Sequence, residues 1–274
     1  MRTDYNTLIV TQIGPIVDVV LNRPEARNAI TFEMTREFDQ VLGDAMEDDG
    51  VNVVTLRGAG KAFSAGHDLK EVAPGFAAGK LPEYFDPYAP PALSRTWYFA
   101  KPLIAGVHGF VGPAALKMLA DFDFIIAAEG TRFSFEQTRI HSSGPGGTPL
   151  VFQLPMRVWK KLAMVGGWFD ADQAFDFHFV QRVVPEHRIK EEVRAWAEQI
   201  AKIPTKNIQM TKMGIHRQYE LMGLVNMEAV QNRVIAHGGT PEDLAWWRKV
   251  AQGSDLKQVL RERDTGFDTD VSHV

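Results

Sequence analysis

The chain has 274 residues, a formal net charge of −4, 45% hydrophobic and 23% charged residues, and no cysteine. That length can bury a sizeable core, while the mild acidity argues against a nucleic-acid partner, which usually leaves a basic stripe. The lack of cysteine excludes disulfides, thiolate metal sites and a cysteine nucleophile.

The polar start, Met1 to Asn6, is not followed by a basic-then-apolar leader, and no apolar run approaches the ~20 residues of a membrane helix. The expectation is a cytoplasmic protein. Leu8 to Gln12 and Ile16 to Leu21 read as two strands around a Gly14-Pro15 turn. After a polar loop, Thr31 reads as the N-cap of a helix from Phe32 to Glu47, because Met34, Phe38, Val41, Leu42 and Ala45 recur at helical spacing. Val51 to Arg57 reads as a buried strand ended by Gly58-Ala59-Gly60. From Pro74 to Pro91 the prolines predict an irregular loop with short helical pieces. Ala92 to Phe99 reads as helix, Leu103 to Val107 as strand, Gly109 to Ala115 as a turn and Ala115 to Ala120 as a buried helix. Strands follow at Phe124 to Ala128 and Arg132 to Phe135. This alternation predicts parallel βαβ units.

Beyond Pro149 the pattern becomes helical. One helix is expected from Leu150 to Val165 and one from Asp170 to Phe177, then a strand from Val180 to Val184 and a helix from Ile189 to Lys202. A long helical region from Thr205 to Val234 should break near Gly214 and Gly223. Helices at Pro241 to Ala251 and Leu256 to Arg263 precede a polar tail.

Two segments carry candidate chemistry. A sharp turn at Ala65-Gly66, within Phe63 to Leu69, can aim consecutive backbone N–H groups at one developing negative oxygen; a plain strand-to-helix loop is the competing reading. Gly109 to Ala115 places Pro113 at a helix start, so that the next N–H, at Ala114, lies at the positive end of the helix; simple tight packing of small residues is the alternative. His178, His187, His216 and His237 show no metal-ligand spacing, so no metal is expected. Neither a phosphate-binding loop nor a Gly-x-Ser-x-Gly elbow occurs.

Five stretches together resemble the crotonase (enoyl-CoA hydratase/isomerase) superfamily. These are Leu21 to Ala29 (LNRPEARNA), Ala62 to Leu69 (AFSAGHDL), Lys101 to Gly109 (KPLIAGVHG), Asp123 to Ala128 with Phe133, and Gly146-Gly147-Thr148. The similarity spans roughly residues 8 to 250. It implies an α/β fold, with a ββα spiral core over residues 1–200 and a helical trimerisation region over 201–274. It also implies an acyl-CoA thioester as substrate, with coenzyme A as part of that substrate and no separate cofactor. The assembly would be a homotrimer or a dimer of trimers. By position, the N–H groups of His67 and Ala114 would bind the thioester oxygen. Arg27 and the backbone of Ala65, Gly66, Asp68 and Leu69 would lie near the nucleotide end of coenzyme A, with Asp68 fixing the loop.

The sequence departs from that pattern where the superfamily carries two proton-handling glutamates. Lys117 and Gln137 stand at those places, and neither is a carboxylate base. A slip of one residue would bring Glu136 into the second place. His141 is a further candidate base. Lys117 is open to readings as substrate anchor, acid, nucleophilic amine, or a surface or salt-bridged lysine. Two functions therefore compete: an enzyme of the hydratase/isomerase type with altered chemistry (thioester hydrolysis, isomerisation or carbon–carbon cleavage), and a non-catalytic acyl-CoA-binding or assembly protein.

Overall fold

The computed structural model describes residues 3–78, 94–140, 149–224, 240–265, 267 and 273–274. The apolar stretches Leu8–Ile13 (β1) and Ile16–Leu21 (β2) form an antiparallel hairpin that turns at Gly14, where φ is +57°. The Thr31 hydroxyl accepts from Met34 N and caps Phe32–Glu47 (α1), whose buried Met34, Phe38, Val41, Leu42 and Ala45 form the face predicted from spacing. Val53–Gly58 (β3), Leu103–Val107 (β4) and Phe124–Ala128 (β6) then add in parallel beside β2. Arg182–Val184 (β9) completes a six-stranded sheet in the order β1-β2-β3-β4-β6-β9. Only its first pair is antiparallel, as alternating strands and helices require.

A second, three-stranded sheet joins Phe110–Val111 (β5), Arg132–Ser134 (β7) and Trp168–Asp170 (β8). It accounts for two errors in the sequence reading. The expected turn from Gly109 contains β5, and the sequence predicts no strand at β8, where Asp170 reads as the start of a helix. Phe133 on β7 and Phe169 on β8 stack with ring centroids 5.1 Å apart, which supplies the side-chain interaction that such short ladders lack. Most of the core lies between the large sheet and α1, the helix Pro113–Leu119 (α4) and this smaller sheet. The opposite face of the large sheet is covered by Ile189–Ile200 (α8) through Ile189, Val193 and Ala197. That helix comes so close that a Cβ on Gly106 would lie 2.6 Å from Val193 Cγ2.

Other expectations need correction. Leu69–Ala77 (α2) is helical through Pro74, because its buried Val72 and Ala73 pack on Trp247 and Val250 and outweigh one lost N–H. Residues 79–91, the rest of the proline-rich stretch, and residues 92–93, the start of the next expected helix, lie outside the described residues. Ser94–Tyr98 (α3) is helical and ends one residue before the expected Phe99. The helix predicted over residues 150–165 is two, Leu150–Gln153 (α5) and Met156–Val165 (α6), divided at Pro155. Ala171–Asp176 (α7) begins with an Asp170/Gln173 capping box. Thr205–Leu221 (α9) runs unbroken through Gly214, an exposed position where glycine costs only backbone entropy. Pro241–Ala251 (α10) and Leu256–Asp264 (α11) form as read. The expected polar tail docks at its end: His273 bridges to Trp168 on the edge of β8, and its ring stacks on the indole at 4.1 Å.

Candidate active site

The site begins with a buried asparagine. Asn28 adopts φ +52°, a left-handed conformation that Asn tolerates better than most residues. Its amide donates to the carbonyls of Ala59, Ala62 and Phe63 at 2.8, 2.9 and 3.1 Å and accepts from Arg23 N at 2.9 Å. The loop after β3 is thereby held to the loop after β2. Ser64 Oγ donates to Asn28 O and accepts from Gly66 N, while Ala65 N donates to Arg27 O.

Residues 64–68 are stitched on both sides. Ser64 N donates to Phe110 O, and Gly112 N donates back to Ser64 O at 2.8 Å. On the other side, Ile30 N donates to Gly66 O and Asp68 N donates to Ile30 O. This bridge uses the groups flanking His67, so the His67 N–H points to the opposite edge. Gly66 has φ +90°, and a Cβ there would sit 3.3 Å from Ala114 N. The close approach at Gly66 thus brings the His67 turn against the first turn of α4. Pro113 occupies the first helical position, and the Ala114 N–H is one of the donors that an α-helix cannot satisfy internally.

A cavity of about 440 Å³ opens at this junction. Arg27, Ala65, His67, Leu69, Ala114, Glu136 and Gln137, all candidates from the sequence, line it together. Gly66 and Asp68 support the wall from behind: Asp68 caps α2 through Lys70 N and pairs with Arg23 at 3.3 Å. His141 and the Gly146-Gly147-Thr148 stretch lie outside the described residues. The alternative of a one-residue slip is unnecessary for access, since Glu136 and Gln137 both reach the cavity. Gln137 is buried, and its Oε1 finds no hydrogen-bond donor among the described residues.

Burial, and secondly the Lys117 charge, lower the His67 pKa to about 3, so its ring is neutral near pH 7. Lys117 is not among the described residues that line the cavity. It lies one helical turn beyond Ala114, with its ammonium 5.5 Å from the centre of the Phe135 ring, and burial lowers its pKa to about 8.

A model of the enoyl-CoA hydratase/isomerase family matches residues 12–244. The chain belongs to that family. It is 34% identical over 223 residues to a protein named a probable enoyl-CoA hydratase from Rhizobium meliloti (strain 1021), covering 79% of this chain and 84% of the relative. It is 30% identical over 198 residues to a carnitinyl-CoA dehydratase from Citrobacter koseri, covering 71% and 74% of the two chains. The crystal structure of an enoyl-CoA hydratase/isomerase from Xanthobacter autotrophicus Py2 superimposes with a TM-score of 0.86 at 25% identity, over 97% of this chain and all of that one. The large sheet, the smaller sheet and the C-terminal helices thus form the crotonase fold.

Within this family member, part of the cavity wall escaped sequence reading. Val72 and Phe76 of α2, Trp247 of α10, and Leu260, Arg263 and Asp264 of α11 also line it. Trp247 stacks on Phe76 at 4.4 Å, which ties α10 to α2 and so to the His67 turn. No local signal marks these residues, because Arg263 and Asp264 read as the solvent face of an amphipathic helix.

The lowered Lys117 pKa has a consequence for stability. The unfolded chain takes up the lysine proton near pH 10.5 and the folded chain only near pH 8. Between these values the unfolded state binds more protons, so the cost of burying the ammonium is present below about pH 8 and is relieved towards pH 10.5. Lys117→Met should therefore raise the melting temperature at pH 7. That gain should shrink between pH 8 and 10.5, as measured by parallel thermal melts.

Proposed function

We propose that this family member binds an acyl-CoA thioester at the cavity and polarises its carbonyl with the N–H groups of Ala114 and His67. The observation that carries the reading is the contact between the two turns. Gly66 lies so close to Ala114 N that donors from two distant segments can meet one oxygen. Fixed backbone donors of this kind stabilise an enolate or oxyanion because they need no reorganisation as charge develops. A neutral His67 ring brings no positive charge to that oxygen, and the contribution assigned to this residue is its backbone N–H.

Arg27 is exposed at the cavity mouth and suits the phosphates at the nucleotide end of coenzyme A. Coenzyme A enters as part of the substrate. The proton chemistry is non-standard, with Lys117 and Gln137 where relatives of this type use glutamates. Glu136 is the carboxylate assigned as base, since it lines the cavity and Lys117 is absent from the described lining. A thioester so polarised supports proton abstraction or addition at the neighbouring carbons, hence hydration or isomerisation. Exposed Met210, Met213, Leu221 and Met222 on and just beyond α9 support a homotrimer or a dimer of trimers, in which that apolar face is covered.

Infrared difference spectroscopy of crotonyl-CoA, labelled with ¹³C at the carbonyl, tests the reading. The bound thioester C=O stretch is expected at a lower frequency than in water. An unshifted band, or no binding, removes the polarising site. A shifted band without turnover of crotonyl-CoA or longer enoyl thioesters would instead identify an acyl-CoA-binding protein.

A further inference from the structure

Arg263 is the best-placed cation in the cavity wall to act on Glu136. Its Nε and Nη2 donate to the two Asp264 oxygens at 2.8 and 2.6 Å. The same Nη2 lies 3.1 Å from Glu136 Oε2. The Arg263 and Glu136 side chains are 12% and 19% exposed, so the pair is largely withdrawn from water, which would otherwise screen it. The neighbouring Asp264 side chain is 46% exposed and acts as an outer fork that restrains the guanidinium. The contact joins α11 to the chain just after β7, on the wall that Leu260 and Ile140 also form.

A glutamate has three rotatable side-chain bonds, and a base must be held within hydrogen-bond reach of the proton it removes. Among the described residues of the Glu136 segment itself, the nearest cation, the Arg139 guanidinium on the next turn, is engaged by the carbonyls of Val165 and Gly166. The restraint comes from α11. We infer that Arg263 is the positioning residue for Glu136, fixing its carboxylate at the cavity wall so that docking of α11 completes the base. This rests on the reading of Glu136 as base.

The test uses steady-state kinetics of the full chain on crotonyl-CoA for Arg263→Met, Arg263→Lys, Glu136→Gln and the double variant Glu136→Gln/Arg263→Met. Arg263→Met is expected to lower kcat about tenfold or more with KM within about twofold, and Arg263→Lys to recover part of that loss. In the Glu136→Gln background, removing Arg263 is expected to cost nothing further, because a positioning residue has no effect once its target is gone. An unchanged kcat in Arg263→Met overturns the inference, as does a full additional loss in the double variant. If Arg263→Met does not fold, Asp264→Asn replaces it: a kcat about threefold lower supports the inference and an unchanged one overturns it. Full activity in Glu136→Gln removes the base reading itself, and a wild-type chain without enoyl-thioester turnover removes both.

Discussion

Glu136→Gln is expected to lower kcat on an enoyl thioester by about a hundredfold to ten-thousandfold, the usual contribution of a positioned acid or base. The amide keeps the size of the carboxylate and an oxygen for Arg263, so the wall and the docking of α11 should persist. KM is therefore expected to stay within a few fold, and the ¹³C=O shift of bound crotonyl-CoA to remain. That combination separates loss of proton transfer from loss of the polarising N–H groups. Gln137→Leu supplies the contrast. It removes a buried oxygen that finds no donor among the described residues, but no titratable group. If Gln137→Leu abolishes turnover and Glu136→Gln does not, the proton chemistry belongs elsewhere.

The second large effect is expected from Gly112→Ala. The backbone of Gly112 has φ −78°, which any residue adopts, so the difficulty is space alone. An added Cβ would sit 2.1 Å from Ala65 O, 2.4 Å from Ala65 C and 2.9 Å from Gly66 N. All three are backbone atoms, held by the Ala65–Arg27 and Gly66–Ile30 hydrogen bonds, and cannot rotate away as a side-chain end would. The two turns must separate, which breaks the Gly112–Ser64 hydrogen bond and moves the His67 N–H from Ala114. A destabilisation of about 3 kcal/mol is expected from overpacking at such a site, read by urea unfolding, together with loss of the thioester C=O shift. Gly43→Ala is the control. Gly43 lies exposed within α1 with no neighbour inside 4 Å, and there alanine should stabilise by about 0.5–1 kcal/mol. Equal behaviour of the two variants would mean that the close approach at Gly112 does not order the site.

The legible part of this protein was the part written locally. Thr31 and the spacing of Met34, Phe38, Val41, Leu42 and Ala45 specify α1 because a cap and a 3.6-residue period act within one helix. The alternation of strands with helices after β2 specifies a parallel sheet, because parallel neighbours need a long crossover rather than a short turn. The AFSAGHDL and Gly109 to Ala115 segments carry the site turns, since each needs small residues at fixed places in the chain. Two of the short strands, β5 and β8, were missed because the residues around them read as a turn and a helix start. The prolines misled in both directions: packing on α10 carried α2 through Pro74, whereas Pro155 divided a predicted helix.

What only the tertiary structure decided is which remote groups complete the cavity. Gly112 matters because Ala65 stands against it, which no neighbour of Gly112 in sequence reveals. Lys117, named from its position, sits over Phe135 and is absent from the described lining, because the face on which a helical residue ends up depends on what packs around the helix. Trp247 and Arg263 reach the cavity only through the docking of α10 and α11 on α2 and the 136–140 segment. Local order in this chain follows from local residue spacing. The candidate site arises where long-range packing joins the His67 loop, a helix start and a C-terminal helix that are far apart in sequence.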